Sequence, residues 1–143
     1  MIKNLVEYFL PEQEFYLQNV SYSKVENVIN QNEHSLNCID NIKVDVIGNE
    51  KVRITITRSL KFEPEELFNL SVAFGAVLSF DPEHEKDCNW NEINLAEEFR
   101  ANGDFVTVNL MSRITLLIAQ ITSSFGQQPL VLPPGIASNN EKK

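Results

Sequence analysis

Residues 67–80, LFNLSVAFGAVLSF, decide the fold, because their apolar side chains recur at every second position. The even positions from 68 to 80 are all apolar, whereas the odd positions are mostly small or polar. This alternation predicts a long β-strand with one buried face. The upstream stretch 51–62 alternates in the same way, with Arg58 as the one exception on its even face, and Pro64 predicts a turn between the two strands.

Two weaker strands are predicted before this pair. Residues 42–46, IKVDV, alternate and are followed by Gly48-Asn49-Glu50, a turn that would pair them with 51–62 as a hairpin. Residues 15–22 are rich in aromatic and β-branched side chains but show no clean single face. The Asn-rich segment 24–41 between them predicts a long crossing connection.

Beyond Asp81 the apolar period changes from two to that of a helix. After a polar loop (81–91), a short helix is predicted with Asn91 as its N-cap and Asn102-Gly103 at its end. A longer helix over 105–125 would be capped by Asp104 and ended by Gly126. Its apolar surface is wide and comprises Val106, Leu110, Met111, Ile114, Leu116, Leu117, Ile118 and Ile121. The predicted fold class is α+β, a four-stranded antiparallel sheet with a short and a long helix packed on one face.

The stretch GQQPLVLPPGI (126–136) follows the long helix. Proline fixes φ and removes a backbone donor, so this stretch is neither a helix interior nor a central strand. It predicts a stiff, apolar, extended arm. The whole chain, 1–143, is predicted to be one domain with an ordered core over about 14–136 and a disordered tail over 137–143.

Composition narrows the function classes. The 143 residues are 43% hydrophobic and 22% charged, with a net charge of −8. An acidic surface repels nucleic acid and anionic lipid, so neither is an expected partner. No signal peptide is predicted, and no run of the ~20 apolar residues of a membrane-spanning helix occurs. Two cysteines do not suggest a disulfide framework, so we expect a reduced, cytoplasmic protein.

No catalytic pattern is found in the sequence. The glycines at 48, 75, 103, 126 and 135 are scattered and form no phosphate-binding loop. Ser21-Tyr22-Ser23-Lys24 matches S-x-x-K without the companion motifs of that enzyme class. We therefore predict that the protein is not an enzyme and uses no cofactor.

Two patterns could bind a metal ion. His34 and Cys38, and His84 and Cys88, share a His-x-x-x-Cys spacing that could supply four zinc ligands, but they lie in different loops without a Cys-x-x-Cys knuckle. The acidic run Asp81, Glu83, Glu85 and Asp87 lacks the glycine and terminal glutamate of an EF-hand. Coincidence and a solvated charge run account for these patterns, and no metal is predicted.

Taken together, three stretches resemble the SecB-type export chaperones. NIKVDVIGNEKVRITITRSL (41–60) is similar to the family's crossover hairpin, LFNLSVAFGAVLSF (67–80) to its long strand, and SRITLLIAQITSSFGQQPLVLPPGI (112–136) to its final helix and arm. The likeness covers 41–136 and, weakly, 15–22. Residues 22–26 lack the family's Asp-x-Ser-Phe-Glu-like segment, and 137–143 lack its longer C-terminal helix, so hand-over to the SecA translocase motor is not implied.

The resemblance implies an ATP-independent holdase that binds unfolded or extended preproteins in an apolar groove. Its floor would be Ile42, Val44 and Val46, and its lid side Leu117, Phe125, Leu130 and Leu132. The first three residues fit a plain core equally well. The wide apolar surface of the long helix predicts a subunit interface. Dimers are the commonest assembly, and the resemblance extends the expected homodimer to a tetramer built as a dimer of dimers.

Two other function classes stay open at this point. One is a dedicated interaction protein that binds a single client, for example a SecB-like chaperone that guards an antitoxin. The other is an enzyme or small-ligand binder that uses the cleft between sheet and helices, which the lack of converging polar residues disfavours.

Overall fold

The computed structural model describes residues 2, 4–25, 35–63, 68–84, 89–125 and 129–136. The elements in these ranges are four strands, β1 (Phe9–Lys24), β2 (Ser35–Ile47), β3 (Lys51–Glu63) and β4 (Phe68–Phe80), two 3-10 helices (Leu5–Tyr8 and Trp90–Glu92), and two α-helices, α1 (Leu95–Asn102) and α2 (Asp104–Ser123).

The strands form one antiparallel sheet in the order β1-β4-β3-β2. β2 and β3 are a hairpin whose turn contains Gly48 at φ +60°, a conformation that glycine adopts without the steric cost of a Cβ. β1 and β2, which are consecutive in the chain, lie at opposite edges of the sheet. This α+β arrangement of four antiparallel strands and two helices confirms the predicted fold class.

β2 begins at Ser35, which corrects the prediction that residues up to 41 belong to the connection. Cys38 lies opposite Leu60 and Asp40 opposite Arg58, so this part of β2 is fully paired with β3. Asparagines at 37 and 41 and the charge of Asp40 hid the alternation, since these residue types are depleted in strands. The more N-terminal part, 26–34, lies outside the described residues.

β1 begins at Phe9, six residues before the predicted start. Pro11 is tolerated there because β1 is an edge strand. The pairing with β4 shifts register between Leu17 and Asn19. Before the shift Leu17 lies opposite Phe74, and after it Val20 lies opposite Val72. This bulge moves the core-facing positions from odd to even numbers, which is why the sequence showed no clean face.

The core lies between the even-numbered face of the sheet and the helices. α2 packs mainly on β4, and α1 packs against α2 and β2. The buried side chains from β3 are Val52, Ile54, Ile56, Arg58 and Leu60, and those of α2 include Val106, Leu110, Met111, Ile114 and Ile118. Arg58, the exception in the pattern, is therefore inside the core.

The helix boundaries differ slightly from the predicted ones. Asn94, not Asn91, caps α1, because its Oδ1 accepts a hydrogen bond from the Glu97 N–H at 3.3 Å. Gly103 ends α1 and is also the N-cap of α2, so Asp104 is the first residue of α2 and makes no side-chain cap. α2 ends at Ser123, and Gly126 lies outside the described residues.

By length and composition α2 could cross a membrane. The expectation that no membrane-spanning helix occurs rested on an unbroken apolar run, and polar residues interrupt α2. Seven of its residues are buried within the fold.

Candidate functional site

The arm, residues 129–136, lies against the core instead of extending into solvent. Leu130, Leu132 and Ile136 are partly buried and pack on the core cluster. Val131, between the two leucines, is 72% exposed. The arm thus has one inward and one outward side, as an extended segment does.

The start of the arm is bound to the end of α2 through one hydroxyl group. The Leu130 N–H donates to Thr122 Oγ1 at 2.8 Å. The same hydroxyl donates to the Ile118 carbonyl at 2.8 Å, the back-bonding that threonine makes inside helices. A third, longer contact of 3.3 Å joins the hydroxyl to the Ala119 carbonyl, and the Thr122 side chain that makes these bonds is buried.

The far end of the arm is bound by Arg58. Its Nη1 donates to the Pro133 carbonyl at 2.8 Å and its Nη2 to the Gly135 carbonyl at 2.9 Å. The guanidinium also pairs with Asp40, with Nε to Oδ1 and Nη2 to Oδ2 both at 2.7 Å. One arginine therefore joins the middle of the sheet to the arm.

The Arg58–Asp40 pair is inside the protein. Arg58 is 1% exposed and Asp40 is 0% exposed. Burial alone would lower the pKa of Arg58, but the hydrogen bonds to Asp40 and its negative charge outweigh burial and raise that pKa above its ordinary value. The side chain is therefore a permanent cation that is neutralised by one carboxylate.

Sequence reasoning missed this pair, although the signal was present. Arg58 broke the even face of β3, and Asp40 occupies an even position of β2. Ile47 pairs with Lys51 at the turn, so counting outward in equal steps along both strands brings Asp40 opposite Arg58. A charge exception at each of two paired positions predicts a buried ion pair.

The residues predicted for the groove floor lie under or beside the core. Ile42 is 7% exposed and is part of the core cluster, opposite Ile56. Val44 and Val46 are half-buried and pack on the same cluster. Direct contact of Ile42 with a ligand would require a rearrangement of the packing above it.

The residues predicted for the lid side are more accessible. Leu117, Leu130 and Leu132 are half-buried on α2 and the arm. Phe125 is 38% exposed, and its ring lies 5.2 Å from Tyr22 and 5.4 Å from Phe68 between centroids. The structure brings the leucines to the core cluster, whereas Phe125 joins an aromatic group at the end of α2.

A further apolar surface was not predicted. We call Leu17, Val20 and Tyr22 the β1 strip; they are 51%, 39% and 46% exposed. Their partners in β4 are Phe74, Val72 and Leu70, so the strip is on the same face as the core. The bulge at Leu17/Asn19 concealed this continuous face from the sequence pattern.

A cavity of about 260 Å³ lies between the helices and the arm. Its lining combines charged and apolar groups, namely Arg100, Asp104, Thr107, Val108, Met111 and Pro134 to Ile136. The arm therefore forms one wall of an open groove beside α2.

Each His-x-x-x-Cys pair has one member outside the described residues, His34 in the first pair and Cys88 in the second. Cys38 is a half-buried free thiol whose pKa is raised, mainly by burial. Asp81, Glu83 and His84 place possible ligand atoms within 4.8 Å of one another, while Glu85 and Asp87 are outside the described ranges. Ser21 and Lys24 are exposed on β1.

No family model matches the sequence, and no curated protein matches it. A solved structure does match, that of the Mycobacterium tuberculosis Rv1957 SecB-like chaperone in complex with a ChAD peptide from the Rv1956 HigA1 antitoxin. The TM-score is 0.65 at 15% sequence identity, and the match covers 87% of this chain and 85% of that chain. The four antiparallel strands and two helices described above are thus a divergent form of the SecB-like fold.

Proposed function

We propose that this protein is an ATP-independent holdase that binds unfolded or extended polypeptide on an apolar surface. The observation that carries the proposal is the shared fold with a SecB-like chaperone that has a peptide bound. A holdase needs accessible apolar surface and no catalytic residues. Exposed apolar patches mark interaction sites, and contact with a client would contribute ~25 cal/mol per Å² of apolar surface buried.

The proposed client surface comprises Leu117, Phe125 and the core side chains that Leu130 and Leu132 of the arm cover, with Val44 and Val46 at its edge. Leu117 and Phe125 are half-buried or exposed apolar side chains on α2 and just after its end, and Val44 and Val46 are half-buried on β2. Ile42 supports this surface from the core. With a net charge of −8, the protein would favour clients rich in Lys and Arg and repel other copies of itself.

A dedicated client is the second candidate function. The structural neighbour is bound to a peptide from one particular antitoxin, and this observation favours a specialised chaperone as much as a general one. Under this alternative the same surface binds one partner protein and has no general role in export. Hand-over to a translocase is not part of either proposal, and both place the protein in the cytoplasm.

We further propose that the protein is a homodimer or a tetramer. The β1 strip is apolar and exposed along an edge strand, and α2 exposes Val108 and Leu116 on its outer side. Such surfaces on a small acidic protein fit a symmetric interface between copies.

Light scattering of aggregating client proteins tests the general holdase against the dedicated chaperone. A general holdase at substoichiometric to equimolar amounts slows the aggregation of several unrelated unfolded proteins. Phe125→Ser weakens this effect, whereas Val131→Ser, at an exposed arm position, does not. Failure to slow any client overturns the holdase. Capture of a single folded partner supports the dedicated form, and a saturable small-molecule thermal shift without anti-aggregation activity supports an enzyme or ligand-binding protein.

A further inference from the structure

The hydrogen bonds that bind the far end of the arm involve its main chain only, while the Ile136 side chain packs on the core cluster. Arg58 donates to the carbonyls of Pro133 and Gly135, and no side chain of the arm takes part in these bonds. A donor that binds carbonyls accepts any residue type at those positions. Arg58 is held in place by the bidentate pair with Asp40, so its two Nη groups are oriented before a ligand arrives.

The contacts near the start of the arm select alternating apolar side chains. Leu130 and Leu132 pack on the core, while Val131 between them is exposed. Together these contacts define a pattern: apolar residues at positions i, i+2 and i+6, an N–H donor at i, and carbonyl acceptors at i+3 and i+5.

This pattern differs from strand addition at a sheet edge. An added strand must offer N–H donors as well as carbonyls, and proline cannot donate. At Arg58 the arm supplies acceptors only, and Pro133 and Pro134 are accommodated at that end. The site therefore suits extended segments with proline at these positions, because neither carbonyl contact uses an N–H of the segment.

We propose that the arm is the resident occupant of a peptide-binding site, and that an extended client segment of the same pattern displaces it from Arg58. This inference rests on the proposed function and names its ligand class: apolar-x-apolar segments that tolerate proline. Pro133, Pro134 and Gly135 are exposed at the outer surface, so an incoming chain can reach the carbonyl contacts. Being tethered, the arm competes at a high effective concentration and limits the site to clients that bind better than it does.

A peptide with the sequence of the arm, PLVLPPGI, tests the inference when it carries a fluorophore and its anisotropy is measured with full-length chains. Leu130→Ser/Leu132→Ser removes the apolar anchors of the resident arm. We expect this double variant to bind the peptide about tenfold or more tightly than the wild type, because the site is then free for most of the time. Val131→Ser, the matched control, should bind it like the wild type.

Adding Asp40→Leu/Arg58→Met to the arm double variant tests the carbonyl donor. Replacing a buried ion pair by apolar residues of similar volume commonly preserves folding, so thermal melting should still show a cooperative transition. We expect the peptide affinity to fall to the wild-type level or below. Equal affinity of all chains for the peptide, or retained affinity after loss of Arg58, overturns the inference.

Hydrogen exchange in the wild type gives an answer even if a variant fails to fold. The Leu130 amide is protected by Thr122 Oγ1, and displacement of the arm by a bound client exposes it to solvent. We expect its exchange to accelerate at least about tenfold at client saturation. Unchanged protection with client bound overturns the inference and leaves the holdase standing. Peptide binding without any client binding overturns the holdase.

Discussion

At the residue scale, the Asp40–Arg58 pair is the feature that sets this core apart. Every other buried side chain of β3 is aliphatic, and the guanidinium lies among them with its charge balanced by one carboxylate. A buried pair of this kind adds little net stability, but loss of one partner leaves an uncompensated buried charge.

We therefore predict that Asp40→Asn destabilises the protein by about 3–5 kcal/mol. Asp45→Asn is the matched control on the same strand, since among the described residues Asp45 has a long ion pair of 3.9 Å with the exposed Lys43. It should cost less than about 1 kcal/mol. Urea unfolding followed by circular dichroism measures both, and equal effects would contradict the role of the pair.

Cys38 gives a prediction on pH. Burial raises the pKa of its thiol above the ordinary value of 9.0, so at pH 8 the folded protein holds less thiolate than a free cysteine. In a Cys88→Ser chain, iodoacetamide should react with Cys38 more slowly than with the urea-unfolded chain. Above pH 9 the unfolded chain ionises first, so stability is lost as pH rises. A native reaction rate equal to the unfolded one would refute this.

At the element scale, two threonines of α2 differ in their hydrogen bonding. Thr122 bonds both Leu130 of the arm and Ile118. The hydroxyl of Thr115 is buried without a hydrogen-bond partner among the described residues.

The same substitution at these two positions tests how the arm is bound. Thr122→Val should destabilise by about 1–2 kcal/mol, since the half-buried Leu130 N–H loses its acceptor. Thr115→Val should be neutral or stabilising, because no hydrogen bond is lost. Helix propensity changes equally in both, so differential melting isolates the arm contact. A larger loss at Thr115 would show that the arm is not held through this hydroxyl.

Some of the elements could be predicted from the sequence, and others could not. β3 and β4 follow from strict alternation, and the hairpin to β2 follows from the Gly48 turn. The buried face of β1 could not be predicted, because a bulge moves the core-facing positions from odd to even numbers. The alternation of residues along one strand does not indicate where such a bulge lies. The apolar arm could be predicted from its prolines and leucines. What the arm touches could not, because its partner Arg58 is 75 residues away.

At the scale of the whole molecule, an apolar β1 strip remains open beside an otherwise covered core. Val20 lies on the core-facing side of β1, and Ile39 is similarly exposed on the opposite face of the sheet. If copies associate through the β1 strip, only one of these faces is buried in the assembly.

Multi-angle light scattering should give two or four times the subunit mass of 16.3 kDa. Val20→Lys should lower the mass, because a charge buried at an interface is costly. Ile39→Lys, the control, should leave it unchanged. A monomeric wild type would contradict the proposed assembly without affecting the fold.

The proposed holdase function is tested most directly by the binding of an unfolded polypeptide to the native protein. A reduced and alkylated, permanently unfolded client and its native folded form are titrated separately, with binding followed by calorimetry. We expect saturable binding of the unfolded form and at least about tenfold weaker binding of the folded one. Absence of binding to the unfolded form, or equal binding of both, would contradict it.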